Sequence, residues 1–121
     1  MSGRRSREKG KRGEREAAAE LMRLFAVEAH RGVQFQGGHD SPDVSVNIPG
    51  LHVEVKRTEK LMLWPSVEQA VADAGGKVPL VLHRPSRKPW LAVVPLDDLP
   101  RLVDTLLPYM KREEIADDAQ E

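Results

Sequence analysis

Two carboxylates and one lysine, those of Asp43, Glu54 and Lys56, form a set of side chains that could do chemistry together. Mg²⁺ and Mn²⁺ prefer oxygen ligands, and one or two carboxylates usually bind such an ion together with phosphate oxygens of a substrate. An ion held in this way orients and activates water, and a neighbouring ammonium group stabilises the negative charge that grows on a phosphate under attack. The alternative is a solvated strand face on which Lys56 forms ion pairs worth roughly a few tenths of a kcal/mol.

The segment from Pro42 to Lys56 alternates apolar and polar residues on both sides of Pro49-Gly50, which is typical of a β-hairpin. The pattern predicts six apolar side chains on one face, paired as Ile48–Leu51, Val46–Val53 and Val44–Val55. The other face then carries Asp43 opposite Lys56, with Glu54 diagonal to Asp43 at roughly 7 Å between Cβ atoms. Two carboxylates at that separation can share one divalent cation, so the hairpin favours a metal site over a solvated face.

Three helices and three further strands are predicted around this hairpin. The predicted strands are 32–36, 78–83 and 90–94, and the predicted helices are 13–28, 66–74 and one from Leu96 onward. Apolar stripes mark the first helix, at Ala17, Ala18, Leu21, Leu24 and Phe25, and the last, at Leu99, Leu102, Val103, Leu106 and Leu107. This order of elements predicts an α/β fold in which helices flank a mixed five-stranded sheet.

Length and composition narrow the class of protein. A chain of 121 residues without cysteine predicts one domain that has neither disulfides nor a thiolate zinc site. No apolar run approaches the ~20 residues that cross a bilayer, so we expect a soluble, cytoplasmic protein with no membrane partner, in the host cytoplasm if a phage encodes it.

Charge is unevenly distributed although the formal net charge is zero. We predict a basic flexible arm over 1–12, a folded domain over 13–110 and an acidic flexible tail over 111–121. Such an arm is typical of a nucleic-acid binder. Disordered, solvated ends are the alternative for both segments.

Four more polar residues have two possible interpretations each. Glu14 lies on the inward stripe of the first helix, either as a site carboxylate or as a first-turn acid that complements the helix dipole. Gln69 is either catalytic or the last residue of a capping box that begins at Ser66. His39 and Ser41 lie in a glycine-containing loop, where they could approach a metal or phosphate or could simply be solvated.

Pro42-Asp43 followed by Glu54-Val55-Lys56 resembles the signature of the PD-(D/E)xK nucleases. Within that superfamily the sequence is most similar to the archaeal-type Holliday junction resolvases and their phage relatives. The likeness includes the basic segment and Gly13-Glu14, the loop 37–41, and Gln69 in a helix, and it covers roughly residues 9 to 95. It implies a restriction-endonuclease-like fold.

The resemblance also implies roles for individual residues. Asp43, Glu54 and the backbone carbonyl of Val55 would bind Mg²⁺ or Mn²⁺, and the implied catalytic set is Glu14, Asp43, Glu54, Lys56 and Gln69. His39 or Ser41 would stand where relatives have a loop serine near the scissile phosphate. The expected partners are a four-way DNA junction and a second copy of the chain. The candidate DNA-binding residues are Arg4, Arg5, Arg7, Lys9, Lys11, Arg12, His39, Ser41, Arg57, Lys60, Arg84, Arg87 and Lys88.

Two other functions fit the same residues. A nuclease of this superfamily could act on other branched, damaged or duplex DNA, because a fold constrains chemistry better than substrate. A catalytically silent DNA-binding module could use the same basic surface without any need for metal.

Overall fold

A mixed five-stranded sheet is the centre of the protein. The computed structural model describes residues 2–32 and 42–111. Its elements are α1 (Ser2–Leu24), β1 (Ala29–Arg31), β2 (Val44–Val46), β3 (Leu51–Lys56), α2 (Leu63–Ala74), β4 (Val78–His83), β5 (Leu91–Val93) and α3 (Leu99–Leu106). The strands lie in the order β1-β2-β3-β4-β5, with β3 and β4 parallel and the other neighbours antiparallel. The predicted α/β fold with a mixed five-stranded sheet is confirmed.

The first helix is longer at its start than predicted. α1 begins at Ser2 rather than at Gly13, because the Arg, Lys and Glu residues of this segment are strong helix formers. It ends at Leu24, before the predicted end near Glu28. Gly13 is buried against β3, where an added Cβ would lie 2.5 Å from the Cβ of Arg57. The missing side chain therefore lets α1 approach the strand that carries Glu54 and Lys56.

The first strand lies before its predicted position. β1 is Ala29–Arg31, whereas the sequence predicts a strand over 32–36, of which 33–36 fall outside the described residues. Pairing with β2 defines this short strand, with Ala29 opposite Val46 and Arg31 opposite Val44. Its own alternation is too brief to be seen in the sequence.

The hairpin is present, but its register differs from the prediction. Val44 pairs with Val53 rather than with Val55, and a turn at Pro49-Gly50 joins the strands. Gly50 has a φ of 85°, which the turn requires and which glycine adopts without strain. Because the register moves by two residues, every side chain keeps its predicted face. The shift brings Asp43 beside Glu54 instead of beside Lys56.

The capping box predicted for the second helix is wrong. α2 begins at Leu63, with Met62 at the N-cap, so Ser66 lies inside the helix and its N–H donates to the carbonyl of Met62 at 3.0 Å. Gln69 therefore has no capping role. The predicted end of the helix at Ala74 is confirmed, and Gly75 follows it in the left-handed conformation that glycine adopts easily at helix ends.

Helices cover both faces of the sheet. One core combines apolar side chains from α1, β2, β3, β4 and α3, namely Ala17, Ala18, Leu21, Val44, Ile48, Leu51, Val53, Leu80, Leu82 and Leu102. The buried side chains of α2 (Val67, Ala70 and Ala74) lie outside that core, and α2 packs on β3 and β4. Side chains alternate along a strand, so the face that carries Glu54 and Lys56 is the one that α2 covers.

Two predicted core stripes are partly exposed. Leu24 on α1 is exposed, and on α3 the side chains of Leu99, Val103 and Leu107 face outward while Leu102 is buried. α3 has eight residues, and of its apolar side chains Leu102 belongs to the core and Leu106 packs against it. The result is an exposed row of large apolar side chains.

Candidate active site

Asp43 and Glu54 meet at the end of the hairpin where β2 begins. Their side chains are joined by a hydrogen bond. Asp43 also contacts the next residue of β3, because the N–H of Val55 donates to its Oδ2 at 2.8 Å. Glu54 is buried, with an exposed fraction of 3%. The two carboxyl groups predicted to share a cation therefore occupy one place in the fold.

Burial makes it costly for both carboxyl groups to be charged. Burial raises the pKa of Asp43 from its ordinary 3.8 to about 7, and the charge of Glu54 and the hydrogen bond with it act in the same direction. Burial would also raise the pKa of Glu54, but hydrogen bonds from His52 and Asp43 outweigh burial and lower that pKa below its ordinary value. Without a cation and below about pH 7, the pair is therefore expected to hold one proton, on Asp43 rather than on Glu54.

Lys56 and Gln69 lie together on the same side of the sheet. The Nζ of Lys56 donates to Oε1 of Gln69 at 3.1 Å. The positive charge of Lys56 also acts on Glu54, two residues earlier on β3, and favours its ionised form. The contact supports the interpretation of Gln69 as a site residue, which orients the lysine, over the interpretation as a helix cap.

Glu14 approaches the same place from α1. Its side chain is 18% exposed, and its Oε1 lies 3.5 Å from Nη1 of Arg31 on β1. Burial raises the pKa of Glu14 and the pairing with Arg31 opposes that rise. The charge of Glu14 in turn raises the pKa of Asp43. α1 thus brings a third carboxylate near the pair, as its place on the inward stripe predicts.

His52 and Arg31 touch the site but were not predicted from the sequence. Nε2 of His52 lies 2.7 Å from Oε1 of Glu54, and both side chains are buried. The signal for His52 was present, because a residue two positions before Glu54 on a strand must share its face. No such signal exists for Arg31, since its contact with Glu14 depends on how α1 crosses β1.

The donor set fits a divalent cation that also takes ligands from its substrate. Two adjoining carboxyl groups that must hold a proton when alone are suited to exchanging that proton for a hard cation. Within residues 2–32 and 42–111, no group of three or more His, Asp or Glu side chains could hold a metal ion. Asp43 and Glu54 are thus a pair of candidate ligands rather than an all-protein cage, and Mg²⁺ is an ion usually bound by one or two carboxylates plus phosphates and water.

Two of the predicted DNA-binding arginines take part in a network within the protein. Glu16 of α1 accepts from Arg57 at 3.0 Å and from Arg84 at 3.2 Å, and Nη1 of Arg57 donates to the carbonyl of Arg84 at 3.1 Å. This network ties α1 to the ends of β3 and β4. A contact of Arg57 or Arg84 with DNA stays a prediction.

Other predicted DNA-binding residues are exposed cations near the same ends of β3 and β4. Lys60, Arg87 and Lys88 are exposed, and so are Arg7, Lys11 and Arg12 of α1. Lys9 lies 3.6 Å from Glu59, which also accepts hydrogen bonds from Ser86 in the loop after β4. His39 and Ser41 lie outside the described residues, as do the side chains of Arg4 and Arg5.

Comparison with known proteins agrees with the family that the sequence motif resembles. No protein-family model matches the chain, and no curated protein is similar to it. A solved structure with a similar fold is that of Archaeoglobus fulgidus Hjc, a Holliday junction resolvase from an archaeal hyperthermophile. The two chains are 29% identical, the match covers 71% of this chain and 72% of that one, and the TM-score is 0.50.

The similarity to Hjc supports the resemblance to Holliday junction resolvases that the sequence motif indicates. Within residues 2–32 and 42–111, none of the helices is both long and apolar enough to cross a membrane.

Proposed function

We propose that the protein is a divalent-metal-dependent endonuclease of the PD-(D/E)xK type that resolves four-way DNA junctions by paired nicks. The contact between the carboxyl groups of Asp43 and Glu54, beside Lys56, carries this proposal. The similarity to Hjc, described as a Holliday junction resolvase, supports the substrate class. A cytoplasmic location, expected from the sequence, stays a prediction.

Each residue of the site has its own role in the proposed reaction. Asp43 and Glu54, with the carbonyl of Val55, would hold Mg²⁺ or Mn²⁺, and the ion when bound would activate water and neutralise phosphate charge. Lys56, oriented by Gln69, stabilises the negative charge that grows on the phosphate. In the hydrolysis, water adds to phosphorus, the bond from phosphorus to the leaving oxygen breaks, and the proton lost by the water ends on that oxygen.

Glu14 has a place in the same scheme as an additional carboxylate on the α1 side. Its side chain is partly buried and held by Arg31, and its charge acts on Asp43. A carboxylate at this distance can orient water molecules around the ion through hydrogen bonds. Its removal should therefore weaken catalysis less than removal of Asp43 or Glu54.

The DNA would lie along the exposed cations near the carboxyl ends of β3 and β4. Lys60, Arg87 and Lys88 are at this end of the parallel pair, where Lys56 also lies. Exposed cations of α1 extend the same basic surface away from the sheet. Phosphate contacts of this kind position a duplex without reading its sequence.

A homodimer is the assembly that a junction with two-fold symmetry requires, because paired nicks need two linked sites. An apolar groove of about 410 Å³ between the start of α2 and the end of β5 provides a candidate interface. It is lined by Leu63, Trp64, Val67, Val93, Val94, Pro95, Leu96 and Asp97. Trp64 is 71% exposed and Leu96 is 79% exposed, values unusual for large apolar residues in a monomer.

The decisive experiment offers the purified protein a synthetic four-way junction, a flap and a linear duplex, each with Mg²⁺, Mn²⁺ or EDTA. We expect symmetric nicks in the junction with either ion, no cleavage in EDTA, and much slower cleavage of the linear duplex. Equal rates on all three DNAs would assign the chain to nucleases of broader substrate range. Salt-sensitive binding without cleavage under any condition would identify a silent DNA-binding module instead.

A further inference from the structure

His52 is a buried histidine for which the proposed hydrolysis has no direct use. It lies in β3, and its side chain is 2% exposed. β3 lies between β2 and β4 in the sheet, and Pro79 of β4 is opposite His52 in the register. Imidazoles in such positions need a polar partner, because burying an unpaired polar group is costly.

The partner of His52 is Glu54. Nε2 of the imidazole lies 2.7 Å from Oε1 of the carboxylate, a short separation that is typical of a charge-assisted hydrogen bond. An ionised carboxylate can only accept, so Nε2 carries the proton and donates it. One oxygen of Glu54 therefore has a fixed donor, and the plane of the carboxylate is held by a rigid ring on the same strand.

This hydrogen bond has a consequence for the way in which Glu54 can bind a cation. The N–H that His52 directs at Oε1 repels a cation that would contact both oxygens, so Glu54 is left to bind through its other oxygen. Mg²⁺ requires single oxygens in near-octahedral positions, whereas Ca²⁺ takes six to eight oxygens and readily binds a carboxylate through both.

We propose that His52 is a positioning residue that orients Glu54 toward binding through one oxygen and so favours Mg²⁺ or Mn²⁺ over Ca²⁺ at this site. The inference rests on the proposed function, in which Glu54 is a metal ligand. Partners that hold a ligand in place affect metal affinity by roughly 10–100-fold in other proteins, although they do not touch the metal.

The test measures binding of Mg²⁺, Mn²⁺ and Ca²⁺ by calorimetry, without DNA and without cleavage. In His52→Leu, which cannot donate, Mg²⁺ affinity should fall by about 10–100-fold while Ca²⁺ affinity falls less or rises. In His52→Gln, whose amide can still reach and donate to Glu54, the preference for Mg²⁺ should be largely restored. His83→Leu removes the second histidine that is buried within residues 2–32 and 42–111, which contacts the carbonyl of Thr58, and should leave the preference unchanged.

The outcomes separate this inference from the proposed function. If the wild type binds none of the three ions, the metal site itself is wrong. If the wild type binds Mg²⁺ and His52→Leu binds it with the same affinity and the same preference over Ca²⁺, His52 does not position Glu54. If His52→Leu does not fold, His52→Asn replaces it, because the shorter amide cannot reach Glu54 from the same backbone position. Equal metal preference in His52→Asn and His52→Gln then overturns the inference.

Discussion

The carboxyl groups of Asp43, immediately before β2, and of Glu54 on β3 are joined by a hydrogen bond. The pair is largely buried, and it forms because the hairpin register sets Val44 opposite Val53. Two acids in such a position are unfavourable for folding unless a proton or a cation lies between them. A cation bound between the two carboxyl groups would remove this unfavourable contribution, as the proposed function requires.

Removal of either carboxylate should abolish cleavage but leave DNA binding intact. In Asp43→Asn and Glu54→Gln we expect the cleavage rate to fall by more than the roughly 10–100-fold that loss of a supporting partner causes. Junction affinity in EDTA should change little, because the exposed cations remain. Single-turnover cleavage and gel-shift titration measure the two quantities. Wild-type cleavage by either variant would remove the proposed mechanism.

The pH dependence of stability should reveal the proton held by the pair. The pKa of Asp43 rises in the fold from 3.8 to about 7. Protonated Asp43 therefore contributes its full stabilisation of the fold below about pH 4, and this contribution is lost as the pH rises through about 7. In EDTA at pH 8, Asp43→Asn should be more stable than the wild type by at least about 1.4 kcal/mol, the free energy that corresponds to a pKa shift of one unit. The difference should shrink toward pH 4 in urea titrations. An advantage of Asp43→Asn that does not change with pH would contradict this assignment.

Divalent cations should stabilise the wild type and not the carboxylate variants. At a concentration 100 times the dissociation constant, Mg²⁺ should add about 2.7 kcal/mol to the free energy of unfolding through binding to the folded state alone. Thermal melts with and without Mg²⁺ at pH 8 measure the effect. Lys77→Gln is a suitable control, since Lys77 lies at the far end of β4 from Lys56. A similar gain in Glu54→Gln would place the ion elsewhere.

The exposed cations of α1 should contribute to the salt dependence of DNA binding. The variant carries Arg7→Gln, Lys11→Gln and Arg12→Gln, because glutamine maintains helix propensity while it removes charge. The slope of log affinity against log salt should become shallower by about 0.9 for each DNA phosphate that these side chains neutralise in the wild type. Lys77→Gln should leave the slope as it is. An unchanged slope in the triple variant means that this part of α1 does not touch DNA.

A charge placed in the groove beside Trp64 should separate the proposed dimer. Trp64→Glu or Leu96→Lys buries a charge in the interface, so sedimentation equilibrium should give the mass of one chain where the wild type gives two. The control is Met22→Glu, which adds a charge at an exposed apolar residue of α1. The rate of paired nicking should be lower in a groove variant that has become monomeric. A monomeric wild type would contradict the proposed dimer. Dimers in both groove variants would mean that the interface lies on another surface.

Local patterns were sufficient to predict the fold class and to bring several candidate site residues onto one face of the sheet. Alternation around Pro49-Gly50 indicated the hairpin, and the predicted ranges 66–74 and 78–83 agree with the end of α2 at Ala74 and with β4. Strand parity alone put Glu54 and Lys56 on one face. These predictions succeed because periodicity and turn chemistry depend on neighbouring residues.

Only the tertiary structure determined which partners these residues meet. Nothing in the sequence separates a register of Val44 with Val55 from one of Val44 with Val53, because both bury the same side chains. The contacts of Glu14 with Arg31 and of Lys56 with Gln69 depend on where α1 and α2 cross the sheet. A sequence determines the face of each side chain through the period of its own element. Packing of the whole core determines the distances between elements and therefore the arrangement of the site.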